Sequence, residues 1–181
     1  MGLLDHRVAI VTGSGLGIGR AVAKCLAAEG ARVVVNDIGA SLDGREPGDV
    51  EDPATSVVKE IESEGGIATI SHDSVSDFEA AGRIVATAVD TFGGIDIVVN
   101  NAGIVRDRSL LKMDESDFDA VVAVHQKGTF NVTRHAAPYM KEAGYGRIVN
   151  MTSSAGLRGN FGQTNYGAAK AAIMGMTFVW A

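Results

Sequence analysis

Three residues near the end of the sequence could do chemistry together: Ser153, Tyr166 and Lys170. They lie in M-T-S-S-A-G-L-R-G-N-F-G-Q-T-N-Y-G-A-A-K-A-A, from Met151 to Ala172. Tyr166 and Lys170 are four residues apart, where Ala168, Ala169, Ala171 and Ala172 turn the pattern helical. At that spacing the two side chains share one helix face. A phenol is a poor acid–base group at neutral pH, but an ammonium group one turn away favours its anion. Ser153 precedes a glycine-rich stretch, and its hydroxyl could hydrogen-bond a substrate oxygen. The pair Tyr-x-x-x-Lys alone is a weak signal, since an alanine-rich helix shows it by chance. Its weight depends on the elements that must position it.

The chain has 181 residues, enough for a single domain with a buried core. Its composition, 46% hydrophobic and 21% charged, is that of a globular protein. A net charge of −6 argues against nucleic acid or an anionic membrane as partner. The N-terminus carries no signal-peptide pattern and no run is long enough to span a bilayer, so a cytoplasmic location is expected. The single cysteine, Cys25, cannot form an internal disulfide and reads as a small buried core residue. His6, His72, His125 and His135 share no ligand spacing, so no metal is expected.

Residues 7–12 (R-V-A-I-V-T) read as a buried strand. T-G-S-G-L-G-I-G follows, with Gly13, Ser14, Gly17, Ile18 and Gly19, and then a helical pattern that ends at Gly30. Strand, glycine turn and helix bring backbone N–H groups and a helix N-terminus up to a pyrophosphate. Residues 32–36 form a second strand that ends in Asp37, 24 residues after Gly13. A carboxylate at this tip can accept from both hydroxyls of an adenosine ribose and repels the extra phosphate of NADP. No basic residue follows at once, so NAD is the expected cofactor.

Between Ile38 and Asp52 the periodicity lapses into a long acidic loop near the adenine end. Asp52-Pro53 opens a helix, residues 67–71 are a third strand, and Asp73 and Ser74 follow beside the expected adenine. Ser76-x-x-Glu79 reads as a capping box for a helix that ends at Gly93-Gly94. A fourth strand over residues 96–99 leads into Asn100, Asn101, Ala102 and Gly103. A polar loop spans residues 106–112, a long helix runs from about Asp114 to Met140, and residues 147–151 are a fifth strand. Strand alternating with helix predicts parallel strands joined by right-handed crossovers, an α/β doubly wound parallel sheet of the Rossmann type in one domain over residues 1–181.

T-G-x-x-x-G-x-G, N-N-A-G, and Ser153 followed by Y-x-x-x-K resemble the short-chain dehydrogenase/reductase family along essentially the whole chain. The wording V-V-V-N-D, N-N-A-G-I-V-R-D-R-S and G-N-F-G-Q-T-N-Y is similar to its (3R)-hydroxyacyl-CoA dehydrogenase branch, found in peroxisomal multifunctional enzymes and bacterial single-domain relatives. The resemblance implies Tyr166 as the catalytic acid–base and Ser153 as the group that polarises the substrate oxygen. It implies that Lys170 acts on the tyrosine and on the nicotinamide ribose, with Asn100 beside the cofactor. Gly13, Ser14, Gly17, Ile18, Gly19, Asp37, Asp73, Ser74, Asn100, Ala102, Gly103, Tyr166 and Lys170 are then the expected cofactor contacts. The expected reaction moves a hydride between NAD and a secondary alcohol or ketone, a 3-hydroxyacyl-CoA by branch. A 3-oxoacyl-thioester or steroid reductase and a non-catalytic dinucleotide-binding protein are the alternatives. A homodimer or homotetramer acting on a small molecule is expected by resemblance alone. Two departures stand out. His125, in V-H-Q-K-G, occupies a helix position where many members carry a fourth catalytic residue, an Asn, and the acyl-CoA branch resembles this sequence in having His there. The chain stops at Trp180-Ala181 where the family continues into further strands and a substrate lobe, so a C-terminally incomplete chain is expected.

Overall fold

A computed structural model describes residues 2–41, 43–44 and 52–181. The acidic loop expected between Ile38 and Asp52 lies largely outside them. Five strands, β1 (Val8–Thr12), β2 (Arg32–Asn36), β3 (Ile67–Ser71), β4 (Ile97–Asn100) and β5 (Arg147–Asn150), form one parallel sheet in the order β3-β2-β1-β4-β5. The connections are α1 (Gly17–Ala28), α2 (Pro53–Ser63), α3 (Phe78–Phe92), α4 (Glu115–Val122) and α5 (Gly128–Ala143), and α6 (Ser154–Arg158) and α7 (Thr164–Trp180) follow β5.

Side-chain alternation along the strands divides the interior into two cores. Ala9, Val11, Val33, Val35 and Val99 point toward Ala23 and Ala27 of α1 and Val57 and Ile61 of α2. Ile10, Val34 and Val98 point the other way, toward Ile84, Val85 and Ala88 of α3 and Val132, Ala136 and Met140 of α5. Because both faces are covered, the central strands are apolar throughout, and all five residues of β1 are buried. The order reverses beside β1: the chain steps outward through β2 and β3, then returns to add β4 on the other side. A sheet of this kind opens a crevice at such a switch point, past the carboxyl ends of the strands.

Local chemistry explains most element ends. Asp52 caps α2, accepting from the N–H groups of Ala54 and Thr55, with Pro53 in the first turn. The cap of α3 is Asp77, which accepts from Ala80 N at 2.7 Å, and not the expected Ser76. The nearer carboxylate is the better acceptor, and the Ser76 hydroxyl pairs with that of Ser74 instead. Cys25 is exposed, contrary to expectation, because α1 packs on its Gly19–Ala23–Ala27 stripe and Cys25 falls between those positions on the opposite side. The long helix expected from Asp114 to Met140 is α4 and α5 joined by five residues of π-helix, Ala123–Lys127. Among the described residues, no helix is long and apolar enough to cross a membrane.

Candidate active site

The ends of the strands surround a cavity of about 670 Å³. Every strand end contributes: Gly13 after β1, Asp37 after β2, Asp73 after β3, Ala102 and Gly103 after β4, and Met151 after β5. The glycine turn forms one wall, with Gly13, Gly17, Ile18 and Gly19 all on the lining. Gly19 is required by close approach, since a Cβ there would lie 2.1 Å from the carbonyl oxygen of Gly13. Asp37 closes the same wall: one carboxylate oxygen accepts from Gly15 N at 2.8 Å and the other from Gly39 N at 2.8 Å. Thr12 ties the turn to β4, its hydroxyl oxygen accepting from the N–H groups of Asn101 and Ala102, both at 3.0 Å.

Ser14 and Asn100 do not line this cavity. Ser14 is fully buried and donates to the carbonyl of Val11 at 2.7 Å, so it braces the turn from behind. Asn100 donates to Thr133 and Asn150, which joins β4 to α5 and β5. Its neighbour Asn101 takes the place at the cavity and donates to the carbonyls of Thr12 and Gly13. Side chains alternate at the end of a strand, and the doublet N-N does not say which partner faces the crevice. Asp73 and Ser74 line the cavity, with the Asp73 carboxylate engaged by Arg83 Nε at 2.7 Å.

The first turn of α7 positions Tyr166. Asn165, fully buried, donates to the carbonyls of Arg106 and Asp117 and accepts from Tyr166 N at 2.8 Å. One turn later Lys170 is 4% exposed, and its Nζ donates to the Met151 carbonyl at 2.6 Å. Burial pushes its pKa down to about 8, which leaves it mostly charged at neutral pH. Nζ stands 5.5 Å from the centroid of the Tyr166 ring.

Ser153 caps the short helix α6, its oxygen accepting from Ala155 N at 3.2 Å. It lies on a second cavity of about 520 Å³, lined also by Val105, Arg158, Asn160 and Gln163. Tyr166 and Val105 line both cavities. The phenol therefore stands where the large cavity, which holds Lys170, meets the smaller one, which holds Ser153. His125, at the helix position where many members carry a catalytic Asn, is 3% exposed, lines the large cavity and meets the Tyr166 ring edge-on.

The family described as short chain dehydrogenase matches residues 7–181. The peroxisomal multifunctional enzyme type 2 of Mus musculus is 49% identical over 172 residues, covering 95% of this chain and 23% of that protein. The hydroxyacyl-CoA dehydrogenase ChsB1 of Mycobacterium tuberculosis is 44% identical over 186 residues, covering 96% of this chain and 55% of that protein. The crystal structure of a short chain dehydrogenase from Mycobacterium avium superimposes with a TM-score of 0.90 at 54% identity, covering 98% of this chain and 63% of that one. The chain thus spans less than two thirds of the length of each.

Proposed function

The chain belongs to the short-chain dehydrogenase family, and from that premise we propose that it is an oxidoreductase that interconverts a secondary alcohol and a ketone with NAD, its substrate a 3-hydroxyacyl-CoA. The observation that carries this reading is the position of Tyr166, on the wall shared by the two cavities. The residues of the large cavity suit a dinucleotide. Gly13, Gly17 and Gly19 would let a pyrophosphate approach the backbone, Asp37 would accept from the ribose hydroxyls, and Asp73 and Ser74 would flank the adenine. Lys170 has donors beyond the one given to Met151 with which to hold the second ribose. When bound, the nicotinamide supplies the acceptor or donor of the hydride.

The protein's own part is proton transfer and positioning. Tyr166 as phenolate removes the proton from the alcohol oxygen as the carbon becomes a ketone, and in the reverse direction the phenol returns it. Ser153 uses its oxygen to accept from Ala155 N, which leaves its O–H to donate to the substrate oxygen. The charge of Lys170 stabilises negative charge as it develops on the phenol oxygen. The substrate class is supported by the name of the M. tuberculosis relative, a hydroxyacyl-CoA dehydrogenase. Tyr166→Phe should leave NAD affinity within about twofold and lower turnover at least ~100-fold, the range of acid–base catalysis. Stopped-flow turnover alongside a binding titration checks both, and unchanged turnover would remove Tyr166 from the mechanism.

A further inference from the structure

The two cavities differ in what lines them. The smaller carries Ser153, Ser154, Arg158, Asn160 and Gln163, and no carboxylate stands on its wall among the described residues. Its amides are fixed to one another: Asn160 Nδ2 donates to Gln163 Oε1 at 3.1 Å, and Gln163 Nε2 donates to the Asp107 carboxylate at 2.8 Å. The arginines of this region divide by partner. Arg106 and Arg108 stand 3.7 Å and 4.0 Å from the carboxylate of Asp117. Arg158 is exposed and makes no ion pair among the described residues. A cation in the last turn of a helix commonly answers the carbonyl dipoles, but α6 has five residues and so little dipole to answer. A chain of net charge −6 repels anions in general. An unpaired guanidinium on the wall it shares with Ser153 and Tyr166 reverses that sign locally.

We propose that Arg158 is a specificity-determining residue: it binds an anionic group of the substrate, beyond the reacting carbon, through the fork of its guanidinium. The proposal rests on the reading that the substrate is a 3-hydroxyacyl-CoA. From Ser153 to Arg158 the chain climbs about 7.5 Å along the helix axis, so the guanidinium serves a group further along the substrate than the oxygen that Ser153 meets. The planar fork of arginine matches the oxygens of phosphate or carboxylate two at a time. A CoA thioester carries phosphates on its long arm, and the free 3-hydroxy acid carries a carboxylate. Binding energy gained at such a remote anion holds the alcohol carbon against Tyr166.

The test uses the full chain and its Arg158→Ala, Arg158→Gln and Arg158→Lys variants. Three substrates carry the same 3-hydroxyacyl group: the CoA thioester, the uncharged N-acetylcysteamine thioester and the free acid. The readout is the ratio of kcat/KM between a charged substrate and the uncharged one, in which a general loss of structure cancels. The parent should favour the CoA thioester at least ~10-fold through KM, the range of a charge-assisted pair. Arg158→Ala and Arg158→Gln should erase most of that preference, Arg158→Lys should keep part of it, and about 0.5 M salt should weaken it in the parent. A preference for the free acid that vanishes in the same variants would support the proposal with carboxylate, rather than phosphate, as the bound anion. A ratio that survives Arg158→Ala overturns the proposal, and so does a parent that prefers neither charged substrate. A KM for NAD that rises in step with that of the thioester would place Arg158 on the nucleotide and overturn it as well. If the parent binds NAD but oxidises none of the three, the substrate reading fails and the proposal falls with it. A parent that oxidises them with a ratio indifferent to Arg158 sinks the proposal alone.

Discussion

The site is set by a few backbone approaches that tolerate no extra atom. At Gly19 the obstacle to a side chain is the Gly13 carbonyl, with Asn101 Nδ2 at 2.5 Å behind it. Neither can swing away, because Asn101 is held by the carbonyls of Thr12 and Gly13. Gly19→Ala should therefore push the turn off its position, destabilise the fold by ~1–3 kcal/mol and weaken NAD binding at least ~10-fold. A calorimetric titration of the variant checks this, and wild-type affinity would mean that the turn does not hold the nucleotide. Asp37 does two jobs that can be separated. Its carboxylate fastens Gly15 and Gly39, and it lies on the cavity wall. Asp37→Asn keeps an acceptor for one of those N–H groups but loses the charge. The ratio of NADP to NAD dissociation constants should then fall by about tenfold, since charge–charge terms near a surface are worth ~1–4 kcal/mol. A constant ratio would mean that the carboxylate does not choose between the two nucleotides.

Helices and strands deliver these residues, and sequence patterns revealed them unevenly. All five strands lie within a residue of their expected bounds: the covered strands β1, β2 and β4 are apolar runs, and the partly exposed edge strands β3 and β5 are short runs of β-formers between glycine and polar breaks. The π segment was not legible: V-A-V-H-Q-K-G has ordinary helical spacing, and the widening falls where α4 and the segment itself pack against α7 and the backbone at Gly103. The short helix α6 was missed because five residues ending in Arg158 and Gly159 carry no full period. The choice of Asn101 over Asn100, and the buried placing of Ser14, depend on which side each residue faces at a strand end. Asn165 was also passed over. It precedes the tyrosine without a pattern of its own, yet it fixes the start of α7 to the loop at Arg106 and to α4. Asn165→Ala strands two carbonyls that had a buried donor, and each such loss is worth ~1–3 kcal/mol. Urea denaturation should show a loss of ~2–4 kcal/mol with lowered turnover, because Tyr166 begins at the bond Asn165 makes. A loss under ~1 kcal/mol would mean that water replaces the amide.

For the molecule as a whole, building the crevice means burying groups that prefer water. Two titratable side chains, His125 and Lys170, are buried beside each other at the switch point and have depressed pKa values. Both effects run the same way with pH. Where the folded pKa of a cation lies below its unfolded value, the unfolded chain binds more protons in the interval, and stability rises with pH across it. For His125 the interval runs from about 4 up to 6.5, and for Lys170 from about 8 up to 10.5. The histidine should thus weaken the fold as pH drops from 6.5 toward 4, by as much as ~3 kcal/mol if the full shift is realised. Carboxylates also titrate in that range, so the wild type alone cannot report on His125. His125→Gln removes the imidazole and leaves the carboxylates in place. Unfolding midpoints in urea at pH 7 and at pH 4.5 should show the wild type losing more stability than the variant, with the excess appearing below pH 6.5. Equal losses in the wild type and the variant would mean that the imidazole accepts its proton in the folded protein as readily as in the unfolded chain. The edge-on ring beside Tyr166 would then be charged in weak acid, and activity should fall there together with the Lys170 repulsion it creates.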